Sequence, residues 1–106
     1  MQQITLEAPV FSVEAALEAA EFGVNRLELC SNFPEGGETP SAGMLKFLKS
    51  EIDIPIFVMI RPRGGDFAYS QKELMVIKRD IELLGEIGAD GFVFGPLDYE
   101  GRVNVE

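Results

Sequence analysis

The segment richest in chemistry is Arg61-Pro62-Arg63-Gly64-Gly65-Asp66-Phe67. Two arginines flank a proline that stiffens the turn. Gly64 and Gly65 leave the backbone free to bring N–H groups toward an anion. The segment leads into a helix N-terminus, where the helix dipole also favours negative charge. Arg61, Arg63, Gly64, Gly65 and Asp66 are therefore candidate ligand-binding residues for a phosphate or carboxylate. The competing reading is a tight turn in which Asp66 pairs with Arg61 or Arg63.

A second group follows from strand parity. Arg26-Leu27-Glu28-Leu29-Cys30 alternates as a strand does. Leu27 and Leu29 should face covering helices, which turns Arg26, Glu28 and Cys30 to the other side. Ile4-Thr5-Leu6-Glu7 reads as an earlier strand that ends in Glu7 on that same side. Arg61 directly follows a third strand. Two carboxylates and a guanidinium would then converge at one mouth. Glu7, Glu28 and Asp66 are the candidate acid/base residues, and Arg26 joins the candidate ligand-binding set. A structural ion-pair network is the alternative, because such networks perturb carboxylates equally well. Cys30 is a candidate soft metal ligand or a small buried residue. Met44, Met59 and Met75 are read as core residues. Tyr69 and Tyr99 lie in loops near the mouth. Thr39 and Ser41, in the glycine loop Phe33 to Ser41, are read as helix caps.

These groups need a frame to hold them. Ser12 is an N-cap for a helix over Val13 to Phe22, closed by Gly23. Ser41 to Glu51 reads as a second helix with Leu45, Leu48 and Ile52 as its stripe. Ile56-Phe57-Val58-Met59-Ile60 is a continuous apolar run, as strands covered on both faces require. Ser70 and Glu73 form a capping box for a long helix to about Ile87, with Leu74, Ile77, Ile81 and Leu84 inward. Phe92-Val93-Phe94 reads as a fourth strand. Strands and helices alternate as βαβαβαβ, which predicts a parallel α/β sheet. Glu21 to Leu27 is echoed by Glu86 to Phe92, 65 residues later. Each unit thus takes about 32 residues, near the roughly 31 of a (β/α)8 barrel of about 250 residues. The turn Glu7 to Ser12 lacks the G-x-G-x-x-G of dinucleotide-binding sheets.

Composition narrows the function. The chain has 106 residues, 46% of them hydrophobic and 25% charged, and a net charge of −9. These values fit one globular domain and exclude disorder. The negative charge opposes binding to nucleic acid and anionic membranes. No apolar run reaches the roughly 18 residues of a membrane span. There is no histidine, so no imidazole base or ligand comes from this chain. One cysteine makes no internal disulfide. A reducing compartment fits.

Several of these strings together resemble the CutC family. They are Arg26 to Cys30, Glu35-Gly36-Gly37 with Thr39-Pro40-Ser41, Ile60 to Phe67, Tyr69-Ser70, and Gly88-Ala89-Asp90-Gly91-Phe92-Val93-Phe94-Gly95. The resemblance covers essentially the whole chain. It implies a TIM-barrel-like fold and a cytoplasmic protein of copper homeostasis, with copper(I) as the ion bound. Family members often carry cysteine soon after the first strand, where this chain has Ala8-Pro9-Val10. The family's later half, with a further histidine- and arginine-containing motif, has no counterpart here.

The expected domain is therefore residues 1–106 as the N-terminal half of a CutC-like barrel, with no second domain. It should be an incomplete barrel of about four parallel strands and three helices. Three functional readings stand. One is copper handling, with Cys30 binding copper(I). Another is a barrel enzyme or sensor for a small anionic ligand, held by Arg61, Arg63 and the Gly64-Gly65 backbone. The third is a half-barrel with no activity of its own. Four parallel strands cannot close a barrel, so self-association through open edges or an apolar inner face of Phe57, Met59 and Phe92 is expected.

Overall fold

The computed structural model describes residues 5–94. Four strands, β1 (Glu7–Val10), β2 (Arg26–Leu29), β3 (Ile56–Met59) and β4 (Gly91–Val93), alternate with three helices. The helices are α1 (Val13–Phe22), α2 (Ala42–Glu51) and α3 (Gln71–Ile87). The strands pair in sequence order, each parallel to the next. This is the expected α/β partial barrel.

Each helix starts on a serine. Ser12, Ser41 and Ser70 accept from Ala15, Met44 and Glu73 backbone N–H groups, each at 3.1 Å. Glu73 returns a bond to the Ser70 N–H at 2.9 Å and completes the capping box. Gly23 and Gly88 close α1 and α3 with φ of 105° and 124°, a region only glycine enters freely.

The repeat seen in the sequence has a physical counterpart. Asn25 Oδ1 accepts from Leu6 N at 2.7 Å, at the entrance to β1 and β2. Asp90 Oδ2 accepts from Ile56 N at 2.8 Å, at the entrance to β3 and β4. One polar side chain at the end of each helix-to-strand turn thus locks the neighbouring strand's entrance. Asp90 also holds Lys49 at 2.8 Å.

The core lies on one side of the sheet. Leu27, Leu29, Ile56 and Val58 are fully buried there against Ala16, Leu45, Leu48, Ile77 and Leu84 of the helices. The other side carries Glu7, Pro9, Arg26, Glu28, Phe57 and Met59, as strand parity requires.

Four expectations need correction. The first strand is Glu7–Val10, three residues later than Ile4 to Glu7. Proline is tolerated inside it because β1 is an edge strand. Val10 O turns toward β2, where it accepts from Cys30 N at 2.9 Å, so Pro9's missing donor falls on the outer edge. Glu7 consequently begins β1 rather than ending it. Phe92 pairs with Val58 in register, so it faces α3 and the core, not the inner face. Met75 is exposed on α3, whereas Met44 packs against the core.

Candidate functional site at the strand ends

Two neighbouring loops meet where β2 and β3 end. The loop after β2 doubles back through a bridge between Ser31 and Glu38, with reciprocal backbone bonds of 2.9 and 2.8 Å. A 3-10 turn at Phe33–Glu35 lies inside it, followed by Gly36 and Gly37 at φ of 84° and 110°. Phe33 sets its ring edge-on against Phe11, 5.1 Å between centroids. The fold brings this loop down onto Cys30, which is 1% exposed.

Gly37 is the residue of closest approach. A Cβ placed on it would lie 3.7 Å from Cys30 Cβ, 3.5 Å from Met59 Cε and 3.6 Å from Phe11. Leu29 pairs with Val58 in register, so Cys30 and Met59 are the next neighbours across β2 and β3. The thiol-bearing Cys30 and the thioether-bearing Met59 of the inner face thus both lie against Gly37.

Arg61 is buried, at 7% exposure, and ties the two loops together. Its Nη1 donates to the carbonyls of Glu35 and Gly37, the latter at 3.0 Å. Its Nη2 donates to Gly65 O at 2.7 Å. Its backbone N–H donates to Thr39 Oγ1 at 2.9 Å, and its carbonyl accepts from Thr39 N at 3.0 Å. Phe67 stacks beneath the guanidinium at 4.7 Å. Arg61 Nε is buried and has no partner among the described residues. Thr39 is thus a clamp on Arg61 rather than a helix cap.

Arg63 is engaged just as fully. Nε lies 2.6 Å from Glu73 Oε2, and Nη1 reaches Gly64 O, Asp66 O and Asp66 Oδ1. Nη2 reaches Ala68 O at 2.9 Å, and the group stacks on the buried Tyr69 ring at 4.9 Å. The pairing with Arg63, with the bond to Ser70 N–H, pulls the Glu73 carboxyl down to about 2. A Cβ on Gly64 would displace the exposed Glu35 carboxylate, which lies over it. Arg61, Arg63, Gly64, Gly65 and Asp66 do come together, but the arginine donors go to loop carbonyls, Glu73 and Asp66. Asp66 pairs with Arg63 and not with Arg61.

The charged residues of the inner face lie elsewhere. Arg26 Nε is 2.5 Å from Glu7 Oε2, and its guanidinium covers the Phe57 ring at 4.3 Å. Glu7 and Arg26 both begin their strands, so the pair sits at the end of the sheet opposite Arg61. The expected convergence of Glu7 with Arg61 therefore does not form. Glu28 stands between the two ends. Burial, and then the neighbouring Glu7, hold its carboxyl above the usual range. Cys30 Sγ lies 3.7 Å from Glu28 Oε1. Burial first, then Glu28, push the thiol up to about 12, so it stays protonated in the closed site. Among the described residues, no three histidine, cysteine or carboxylate side chains are grouped to hold a metal ion. Tyr99 lies outside the described residues.

Sequence reasoning gave no role to Met59 at the site. Met59 ends β3 one position beyond the Leu29–Val58 pair, beside Cys30, a placement that only the β2–β3 register reveals. Comparison with known proteins places the chain. The model of the CutC family matches residues 4–106. A copper homeostasis protein cutC homolog from Homo sapiens is 52% identical over 101 residues, 95% of this chain and 37% of the relative. One from Drosophila melanogaster is 49% identical over 104 residues, 97% of this chain and 40% of the relative. A solved CutC structure from Streptococcus agalactiae superposes with a TM-score of 0.86 at 32% identity, covering 95% of this chain and 50% of that one. The chain spans well under half the length of these two curated relatives.

Proposed function

This chain belongs to the CutC family, and from that premise we propose that it serves copper homeostasis by holding copper(I) as cargo. The names of its relatives support the first part. The observation that carries the second is the meeting of Cys30 and Met59 beneath Gly37. Thiolate and thioether sulfurs select copper(I) over the harder divalent ions. Cys30 supplies the thiolate and Met59 the second sulfur. Because the thiol is protonated when empty, each copper(I) taken up releases one proton. Glu28, whose Oε1 faces Sγ, is placed to receive it.

An anaerobic competition titration against a chromogenic copper(I) chelator tests this. The wild-type chain should bind one equivalent and acidify a weakly buffered solution, and Cys30→Ala should do neither. A wild-type chain that leaves all copper with a chelator of micromolar affinity sinks the reading.

A second reading rests on Glu28. A half-buried carboxyl with a raised pKa, beside the Arg26–Glu7 pair, suits a proton-transfer role toward a small molecule at the inner face. In that reading Arg26 orients the ligand and Glu28 is the acid/base. The arginines Arg61 and Arg63 serve it by shaping the loops around the site.

A further inference from the structure

Cys30 is closed off from solvent beneath the loop of residues 31–39, which Arg61 fastens to the loop after β3. We infer that residues 31–39 form a lid over Cys30, and that Arg61 is its latch. The inference rests on the copper reading for its biological use, but its physical content concerns access to a thiol and stands without copper.

The lid is short and its inner surface is backbone, because Gly37 is the residue that covers Cys30. Its internal bonds, the Ser31–Glu38 bridge, Ser31 Oγ to Thr39 O, Asn32 Nδ2 to Glu38 Oε2 and the backbone bonds of its turn, tie the loop to itself rather than to the body of the fold. Phe33, its largest side chain, is 71% exposed and touches the body of the fold through an edge contact to Phe11. A loop with so little buried side-chain surface belongs to the part of a fold that opens locally. Arg61 supplies what is missing. It reaches the lid at Glu35 O, Gly37 O and both polar groups of Thr39. It anchors that hold on the neighbouring loop through Gly65 O and Phe67.

The latch is incomplete. Arg61 Nε is a buried donor without a partner among the described residues in the closed state. An unsatisfied buried donor is destabilising, and opening the lid lets water reach it. The closed form is therefore held by several good bonds and undercut by one missing bond. That is the energetic signature of an element that opens without unfolding the rest. Opening would expose the Cys30 thiol, so a reagent in solution could reach it.

The test is the rate at which Cys30 in the 106-residue chain reacts with an aromatic disulfide reagent at pH 8, without copper. Rates are scaled to those of the urea-unfolded chain. Wild type should react through local opening, with a rate nearly independent of low urea. Thr39→Val removes one lid bond and should speed labelling about threefold or more. Arg61→Lys keeps the charge but loses the fork, and should speed it about tenfold or more, with an unchanged circular dichroism spectrum. If Arg61→Lys fails to fold, Thr39→Val alone decides. Two results overturn the lid. One is wild-type labelling that follows global unfolding, with the same urea dependence. The other is a folded Thr39→Val that labels at the wild-type rate. Copper binding that fails while labelling follows this pattern would sink the copper reading and leave the lid intact.

Discussion

Arg61 Nη1 donates to Gly37 O at 3.0 Å, and Gly37 is the residue that closes over Cys30. One guanidinium therefore sets the height of the roof above the two sulfurs. The string that looks most like an anion-binding loop acts in the structure as a clasp between loops. Its arginines bind carbonyl dipoles of the chain itself.

Gly37 is held by its backbone. Its φ of 110° is strained for any L-residue, whereas a Cβ there would make only ordinary contacts with Cys30, Met59 and Phe11. Gly37→Ala should cost about 1–3 kcal/mol. A urea titration followed by circular dichroism measures it. Gly43→Ala, with open space around its Cβ and a place inside α2, should stabilise slightly and serves as the control.

Glu73 links stability to acid. Its folded pKa of about 2 lies below the ordinary value of 4.5. The group therefore stabilises the fold above pH 4.5, and that contribution fades as pH falls toward 2. Glu73→Gln should flatten the acid limb of a stability-against-pH profile. An acid limb identical to that of wild type would count against the Arg63–Glu73 pair.

Cys30 makes the opposite link at high pH. Its folded pKa of about 12 lies above the ordinary 9.0, so the fold is favoured below pH 9 and weakened as pH rises toward 12. Cys30→Ala should remove that alkaline weakening. Thermal unfolding at pH 7 and at pH 10.5 makes the comparison.

The two repeated strand clamps differ in strength. Asp90 is ionised, holds Lys49 as well as Ile56 N–H, and has a carboxyl lowered by those bonds against the opposing effect of burial. Asn25 is neutral and holds Leu6 N–H alone among its described side-chain bonds. Asn25→Ala should cost about 1 kcal/mol and Asp90→Ala about 1.5–3 kcal/mol. Equal losses would show that the charge adds nothing.

Much of the frame was legible because it depends on local chemistry. Serine caps, the Ser70–Glu73 box and the glycine stops mark α1 and α3 to within a residue, and Ser41 marks the start of α2. Parity turned Leu27 and Leu29 to the core and Arg26, Glu28 and Cys30 away from it. The errors arose where pairing, not propensity, decides. Register with β2 moved β1 past Ile4 and took Glu7 to the far end of the sheet. Register with β3 turned Phe92 to the core side. The partners of the Arg61 guanidinium on the lid lie 24 and 26 residues away in sequence, and no spacing rule points to a guanidinium that binds carbonyls. Cys30 could be singled out, but Met59 beside it could not, because their contact exists only across two paired strands.

The central claim is that Cys30 and Met59 together hold copper(I). X-ray absorption at the copper edge of the anaerobically loaded chain tests it most directly. Two sulfur scatterers are predicted around copper in wild type, with one lost in Met59→Leu. A first shell of nitrogen and oxygen alone, or a wild-type spectrum unchanged by Met59→Leu, would contradict it.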